Sequence, residues 1–295
     1  MKKTLFIILF YFTNMFAHPG WGIAIDSNGT IYFTDIINKT IWKIEEGKNQ
    51  EAFIKNVWSH SILIDKNDML YFENEEFEMG NGWISLKKVS ETGNVAYVIS
   101  PTKYGEGFNS PVFTMDDDQN IYFAIRDTIF KKDSSGTVNK FISDGISSPH
   151  YLTYLANGFI YLVDLEGIKR ISTDGNLESA ALNLTIDDPK DNPYPDDDRE
   201  VFNRIYGITI DDKNNLYYAY SGNSRVFMID TSGNKSEIYY SKGPWYPYGL
   251  AWYNEKLFVL EEGHAENKGP EALRITIVQP NGNYKRLKQI GELSK

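Results

Sequence analysis

The stretch GIAIDSNGTIYFTD, residues 22–35, contains two short alternating apolar runs separated by the polar turn DSNG. Alternation predicts strands, and a turn of Asp, Asn and Gly predicts a tight hairpin between them. The pattern returns along the chain, and one aromatic residue marks the second run of each of its six copies: Tyr32, Tyr71, Tyr122, Tyr161, Tyr217 and Phe258. Such regular recurrence indicates a repeat protein built of hairpins.

A second pair of strands follows each hairpin. A short apolar run ends in a Gly-containing turn, as in TIWKIEEG (residues 40–47) and RVFMIDTSG (residues 225–233), and a fourth run comes after it. Glycine suits these turns because it adopts positive φ at no steric cost. Six units of about 46 residues each match the period of propeller blades, and packing around an axis lets each unit bury both faces.

The sequence therefore predicts an all-β protein, a six-bladed β-propeller of four-stranded antiparallel blades, without a helical domain. The blades are expected at residues 18–56, 57–107, 108–145, 146–203, 204–244 and 245–295. The first blade begins with its inner strand, and the last strand, residues 284–290, completes blade six. We therefore expect the ring to close by side-chain packing between blades one and six, without an exchanged strand.

The N-terminus has the pattern of a secretory signal peptide. Two lysines precede the apolar run of residues 5–12, which is too short to span a bilayer, and Ala17 offers a cleavage point. We expect a signal peptide at residues 1–17, a single propeller domain at residues 18–295 and an exported product, periplasmic or extracellular. An uncleaved N-terminal anchor is the alternative. No other run is long and apolar enough to predict a membrane span.

The amino-acid composition excludes some classes of binding partner and of chemical site. The chain has 40 Asp and Glu against 30 Lys and Arg, a formal charge of −10, which argues against nucleic acid or an anionic membrane. It has no Cys, which excludes disulfides, thiolate metal sites and cysteine nucleophiles. The expected partner is therefore a small molecule, a glycan or a protein.

An aspartate recurs before the first turn of four copies, at Asp26, Asp65, Asp116 and Asp211. Asp side chains accept hydrogen bonds from the backbone two residues further on. Recurrence at one repeat position therefore predicts turn hydrogen bonds rather than catalysis.

The longest insertions all fall on one face of the predicted ring. We label the strands of each blade A to D from the axis outward. The insertions are two B–C loops, residues 73–83 and 261–271, and two D–A connections, residues 101–110 and 183–204. Successive antiparallel strands reverse direction, so the B–C and D–A segments share a face, here called the B–C/D–A face. Function is expected there, because binding residues concentrate on loops that a rigid scaffold displays.

The residue before each inner strand is expected to line the channel mouth on this face: Trp21, His60, Pro111, His150, Tyr206 and Tyr248. His60, His150 and Tyr248 belong to alternate blades, so their side chains are predicted to point to one place on the axis. Imidazoles there suit a divalent metal such as zinc. Alternatively, the imidazoles cap neighbouring loops or stack on the ring aromatics. The acidic stretch 187–200 offers oxygen ligands for calcium but lacks EF-hand spacing, and a solvated loop is favoured.

The first unit resembles an NHL repeat in residues 22–26, 31–35 and 41–44, with Asn38 between them. The layout is similar to the SMP-30/gluconolactonase family, to strictosidine-synthase-like proteins and to NHL-type amidating lyases. The resemblance implies a propeller, with metal ligands at the channel mouth in the lactonases and lyases. Pro149-His150 matches the lyase pattern, but its third His is absent, and Tyr248 replaces the Asn that the lactonase pattern places before Gly-Leu-Ala-Trp.

Two functions stay open. The first is a non-enzymatic exported propeller that binds a ligand through aromatic residues on the B–C/D–A face: Trp21, Trp83, Tyr206 and Tyr248. The second is a metal-dependent hydrolase or lyase in which His60 and His150 hold the metal and activate a water. The candidate catalytic bases are then Glu73 and Glu261, on the two B–C loops.

Overall fold

The computed structural model describes most of the predicted propeller. The described residues are 20–78, 81–90, 92–104, 106, 108, 112–182, 205–264, 270–279 and 281–291. The predicted signal peptide, Pro111 and the acidic stretch 187–200 lie outside them. Strands β1 to β24 form six four-stranded antiparallel sheets, which confirms the predicted fold class. No helix in the described part of the chain has the length and apolar character needed to cross a membrane.

Each blade uses four consecutive strands. Blade one has β1 (Ile23–Ile25), β2 (Ile31–Asp35), β3 (Thr40–Ile44) and β4 (Glu51–Lys55), and blade two has β5 (Ile62–Ile64), β6 (Leu70–Glu78), β7 (Asn81–Val89) and β8 (Val95–Lys103). Blade three has β9 (Phe113–Met115), β10 (Ile121–Ile125), β11 (Thr128–Lys132) and β12 (Val138–Ile142), and blade four has β13 (Tyr151–Tyr154), β14 (Phe159–Asp164), β15 (Gly167–Ser172) and β16 (Leu177–Leu182). Blade five has β17 (Ile205–Ile210), β18 (Leu216–Tyr220), β19 (Arg225–Ile229) and β20 (Lys235–Tyr240), and blade six has β21 (Trp245–Tyr253), β22 (Lys256–His264), β23 (Pro270–Val278) and β24 (Tyr284–Ile290).

An aspartate and a tyrosine fix the inner hairpin of four blades. In blade three, Asp116 Oδ1 accepts the backbone N–H groups of Asp118 and Asn120 at 3.0 and 2.9 Å. Its Oδ2 accepts the hydroxyl of Tyr122 at 2.9 Å. The same pattern recurs at Asp26, Asp65 and Asp211, each with the tyrosine six residues later. The turn role predicted for these aspartates is confirmed.

The ring closes by packing between blades six and one. Ile23 and Phe33 of blade one share an apolar cluster with Leu260, Leu273 and Ile275 of blade six. Each sheet consists of consecutive strands, so among the described residues no strand is exchanged between blades. Closure without an exchanged strand is therefore confirmed for this part of the chain.

Glycines let the inner strands of neighbouring blades approach closely. A Cβ added at Gly249 in blade six would lie 2.4 Å from the carbonyl oxygen of Trp21 in blade one. A Cβ at Gly207 in blade five would lie 2.5 Å from the carbonyl oxygen of Tyr248. Real Cβ atoms do not approach backbone so closely, so these positions need glycine for contact rather than for turn geometry.

The two insertions predicted as long B–C loops are extended hairpins instead. In blade two, β6 and β7 stay paired from Leu70 opposite Val89 to Glu78 opposite Asn81. In blade six, β22 continues to His264. Glutamates and glycines in these segments suggested loops, but strand pairing and the packing of Phe77 against Trp58, at 5.5 Å between centroids, extend the ladder.

Candidate functional site

Two β-bulges place tyrosines at the channel mouth. Tyr206 is the extra residue of β17, where the register against β18 shifts between Ile205 and Gly207. Tyr248 is the corresponding extra residue of β21. A bulge redirects its side chain out of the ladder, and the two rings meet with centroids 5.4 Å apart. Both residues were predicted to precede their strands; they lie inside them because these inner strands begin earlier than in blades one to four.

Four rings from blades one, five and six form an aromatic cluster at the mouth: Trp21, Tyr206, Tyr246 and Tyr248. Trp21 stacks on Tyr206 across the ring, with centroids 5.1 Å apart. All four side chains are buried, and Tyr248 is only 1% exposed. The structure thus brings together three of the four predicted ligand-binding residues. The fourth, Trp83, lies on β7 opposite Glu76 and is not a member of the aromatic cluster.

The two predicted metal ligands each contact an aromatic ring. His60 lies 5.4 Å from Trp21 and His150 lies 6.2 Å from Tyr206, measured between ring centroids. Within the described ranges, no group of three or more His, Cys, Asp or Glu side chains is arranged to hold a metal ion. The metal site therefore stays a prediction, and both imidazoles contact ring aromatics, His60 tilted against Trp21 and His150 edge-on to Tyr206.

Glu73 is fully buried below His60 and accepts several hydrogen bonds. The backbone N–H of His60 donates to Oε1, and the Ser59 hydroxyl and the Ser61 N–H donate to Oε2 at 3.0 and 3.1 Å. In blade one, Thr34 has the equivalent place and accepts the N–H of Gly22. Glu73 therefore fixes the chain that carries His60 into β5.

Burial shifts the pKa values of Glu73 and His60 in opposite directions. Burial raises the pKa of Glu73 to about 8, although the N–H groups of His60 and Ser61 act in the opposite direction. Burial lowers the pKa of His60, while the charges of Glu75 and Glu262 oppose that shift. His60 Nδ1 lies 3.3 Å from Glu73 Oε1 and 3.6 Å from Glu75 Oε1. At neutral pH these shifts favour an uncharged imidazole beside a protonated Glu73.

A pH dependence of stability follows. Because the pKa of Glu73 is raised on folding, the folded state binds more protons than the unfolded state between about pH 4.5 and 8. The free energy of unfolding should therefore fall as pH rises through this window. We expect the wild type to lose at least about 1 kcal/mol more between pH 5 and pH 8 than Glu73→Gln, which does not titrate. Urea unfolding of both proteins measures this difference, and equal slopes against pH would contradict it.

Glu262 and His264 form a further part of the mouth that the sequence did not single out. Glu262 Oε1 accepts the N–H of Gly20 at 2.9 Å, and its Oε2 lies 3.6 Å from His264 Nε2. His264 packs edge-on against Tyr246, at 5.2 Å between centroids. A spacing of two residues on a strand puts both side chains on one face of the sheet. That signal was hidden because the segment was assigned to a loop.

Glu75 is the equivalent residue of blade two and was also missed. It is half-buried, lies beside His60 and accepts a hydrogen bond from the hydroxyl of Tyr104. Burial raises its pKa. Glu75 and Glu262 thus stand on the two sides of blade one, with Trp21 between them in the ring.

Glu261, by contrast, lies in a complete buried ion pair. Arg274 donates to both carboxylate oxygens, at 2.7 and 2.8 Å, and the hydroxyls of Thr276 and Tyr239 donate at 2.5 and 3.1 Å. Strand alternation turns this side chain away from the face that carries Glu262. The catalytic roles assigned to Glu73 and Glu261 stay predictions, but both carboxylates are occupied by structural hydrogen bonds.

No family profile matches the chain, and no curated protein is significantly similar to it. Solved structures do share its fold. A streptogramin B lyase is 17% identical with a TM-score of 0.61, over 95% of this chain and 86% of that one. A gluconolactonase from Xanthomonas campestris is 11% identical with a TM-score of 0.62, over 90% of this chain and 88% of that one.

A chain of a nidogen–laminin complex is 12% identical with a TM-score of 0.63, over 89% of this chain and 93% of that one. The resemblance to gluconolactonase-like propellers is therefore found in the solved structures as a shared fold. These neighbours include both enzymes and a chain from a protein complex, and one fold serves both classes.

Proposed function

We propose that the protein is an exported propeller that binds a small ligand at the channel mouth, on the B–C/D–A face. One observation carries the proposal. Two carboxylates and two imidazoles lie beside the aromatic cluster: Glu75 and Glu262, His60 and His264. Neither carboxylate has an ion pair with Lys or Arg within the described residues. Buried carboxylates without a cation are costly, and such groups concentrate at functional sites.

Other buried acids of the protein have either a cation or several hydrogen-bond donors, as Glu73 does. Glu261 is paired with Arg274, and Asp164 is paired with Lys169 at 2.7 Å. Those acids are compensated as structural acids usually are. The mouth combines two carboxylates that have no Lys or Arg ion pair among the described residues with aromatic side chains, and this is the usual composition of a small-molecule site. Fold neighbours described as a lyase and a gluconolactonase agree with a small-molecule ligand, while the nidogen–laminin chain shows that the same fold also occurs in a protein complex.

A thermal-shift screen of a small-molecule library tests this function. Compounds that bind the mouth should raise the Tm of the wild type and lose that effect in Glu262→Gln. Glu46→Gln is the matched control, because Glu46 is exposed on the C–D turn of blade one, on the opposite face. Compounds that stabilise the wild type and Glu262→Gln equally would place the ligand elsewhere.

Acid–base catalysis is the second candidate. Two carboxylate–imidazole pairs, Glu75 with His60 and Glu262 with His264, are each separated by 3.6 Å at the mouth. Burial lowers the pKa of His60 and raises the pKa of Glu75, so an uncharged imidazole is available to accept a proton near neutral pH. Such pairs suit a hydrolase or lyase that works through these side chains.

We expect protein purified without added metal to contain no stoichiometric zinc or calcium. The physical reason is that no group of three His, Cys, Asp or Glu side chains among the described residues is arranged to hold a metal ion. Elemental analysis of the wild type, His60→Ala and His150→Ala measures this directly. One equivalent of metal in the wild type that is lost in both variants would contradict the expectation and favour the metal-dependent enzyme.

A further inference from the structure

The two carboxylates of the mouth act on the same small region. Glu75 in blade two and Glu262 in blade six have equivalent positions in the second strand of their blades. The charges of both act on the imidazole of His60, which stands beside Trp21. Two acidic groups therefore converge on the part of the mouth that blade one contributes.

Glu262 has an acceptor without a donor. Its side chain is 2% exposed, and Oε2 has no hydrogen bond to any residue that the structure describes, since His264 Nε2, at 3.6 Å, lies beyond hydrogen-bond distance. The other oxygen, Oε1, is held by the N–H of Gly20, which fixes the direction of the carboxylate. A buried acceptor left without a donor is unfavourable, so this oxygen is suited to an N–H group of a ligand.

The charge around this oxygen selects among ligand classes. Burial lowers the pKa of His60, so this imidazole adds no positive charge at neutral pH. The described part of the chain places no Lys or Arg ion pair on Glu75 or Glu262, and the whole chain carries a net charge of −10. An anionic ligand would meet repulsion here, and a neutral one would leave the carboxylates uncompensated.

The aromatic cluster favours the same class. Trp and Tyr rings attract a cation through their electron-rich faces and also cover apolar substituents. Within the cluster, the ring of Tyr206 contacts both Trp21 and Tyr248. The imidazole of His264, beside Glu262, contacts Tyr246 and Tyr248. Rings and carboxylates thus occur together at one mouth.

We propose that the ligand of the mouth is an organic ammonium ion, whose N–H groups bind Glu262 and Glu75 and whose apolar part packs against the aromatic cluster. This inference rests on the proposed function, because it names the ligand class of the same site. It differs from that function in requiring a positive charge on the ligand.

Three probes with one phenyl ring and different charge test the inference: 2-phenylethylammonium, 2-phenylethanol and phenylacetate. Titration calorimetry at pH 7.5 should show the ammonium ion binding at least about tenfold more tightly than the alcohol, and phenylacetate binding more weakly than both. Glu262→Gln keeps the shape of the side chain but removes its charge. It should weaken ammonium binding at least about tenfold and leave alcohol binding within about twofold.

Glu78→Gln is the control for general electrostatics, because Glu78 is exposed near the tip of the hairpin that carries Glu75. It should leave all three affinities unchanged. If Glu262→Gln does not fold, Glu75→Gln takes its place, and a preserved near-ultraviolet circular dichroism spectrum shows that the variant is native.

The outcomes separate the two proposals. If the alcohol binds as tightly as the ammonium ion, or Glu262→Gln and Glu75→Gln both keep the preference for the cation, the inference is wrong and small-ligand binding stands. If none of the probes binds while the library screen yields neutral or anionic ligands that depend on Glu262, the inference is again wrong. If no compound of any charge depends on Glu262, both proposals fail.

Discussion

Replacing Gly249 by valine should open the ring between blades six and one. A Cβ at this position would lie 2.4 Å from the Trp21 carbonyl oxygen and 2.9 Å from Ile23 Cγ2, so the inner strands of the two blades must separate. Overpacking against backbone cannot be relieved by a change of rotamer. We expect the free energy of unfolding to fall by about 3 kcal/mol or more, which urea unfolding measures.

Gly243→Ala is the matched control for this experiment. Gly243 lies between β20 and β21, has nothing within 4 Å of an added Cβ and does not need a positive φ. Its substitution should change stability by less than about 0.5 kcal/mol. If Gly249→Val is as stable as this control, the close approach of blades six and one does not require glycine at position 249.

Removing the guanidinium of Arg274 should have an effect of similar size. Arg274→Ala leaves Glu261 as a buried carboxylate without its cation, and the hydroxyls of Thr276 and Tyr239 do not replace that charge. Breaking a buried ion pair in this way costs about 3–5 kcal/mol. Urea unfolding should show this loss in the single variant.

The double variant Glu261→Leu with Arg274→Met separates charge from packing. It removes both charges at once, so it should recover most of the stability that Arg274→Ala loses. Lys48→Ala is the control, because Lys48 pairs with Glu45 at the surface, where an ion pair contributes about 1 kcal/mol or less. A double variant no more stable than Arg274→Ala would show that the unpaired charge of Glu261 does not account for the loss.

The fold could be predicted from the sequence because its determinants are local. Asp116 and Tyr122 are six residues apart, and the turn between them closes on hydrogen bonds within that interval. The same short-range pattern recurs often enough to give the blade number and the strand order. A pattern that spans six residues can be recognised in a short segment of the sequence without knowledge of the tertiary structure.

The site could be predicted only in part, because its chemistry depends on contacts between blades. Glu261 and Glu262 are adjacent and chemically identical, yet the first binds Arg274 in the core and the second faces His264 at the mouth. Only the strand register shows which of the two glutamates faces the core, and the sequence suggested a loop rather than a strand at these residues. Tyr206 and Tyr248 were assigned to the mouth, but the bulges that direct them there have no local signature.

The assembly of every sheet from four consecutive strands has a consequence for how such a chain changes in evolution. Duplication or loss of one unit would leave every other sheet complete, since no described strand belongs to a neighbour. What would change is the angle available to each unit around the axis, and with it the width of the central opening. The glycines at positions 207 and 249 fit the close approach of inner strands in a ring of six units, so a change in the number of units would alter the contacts at those two positions first.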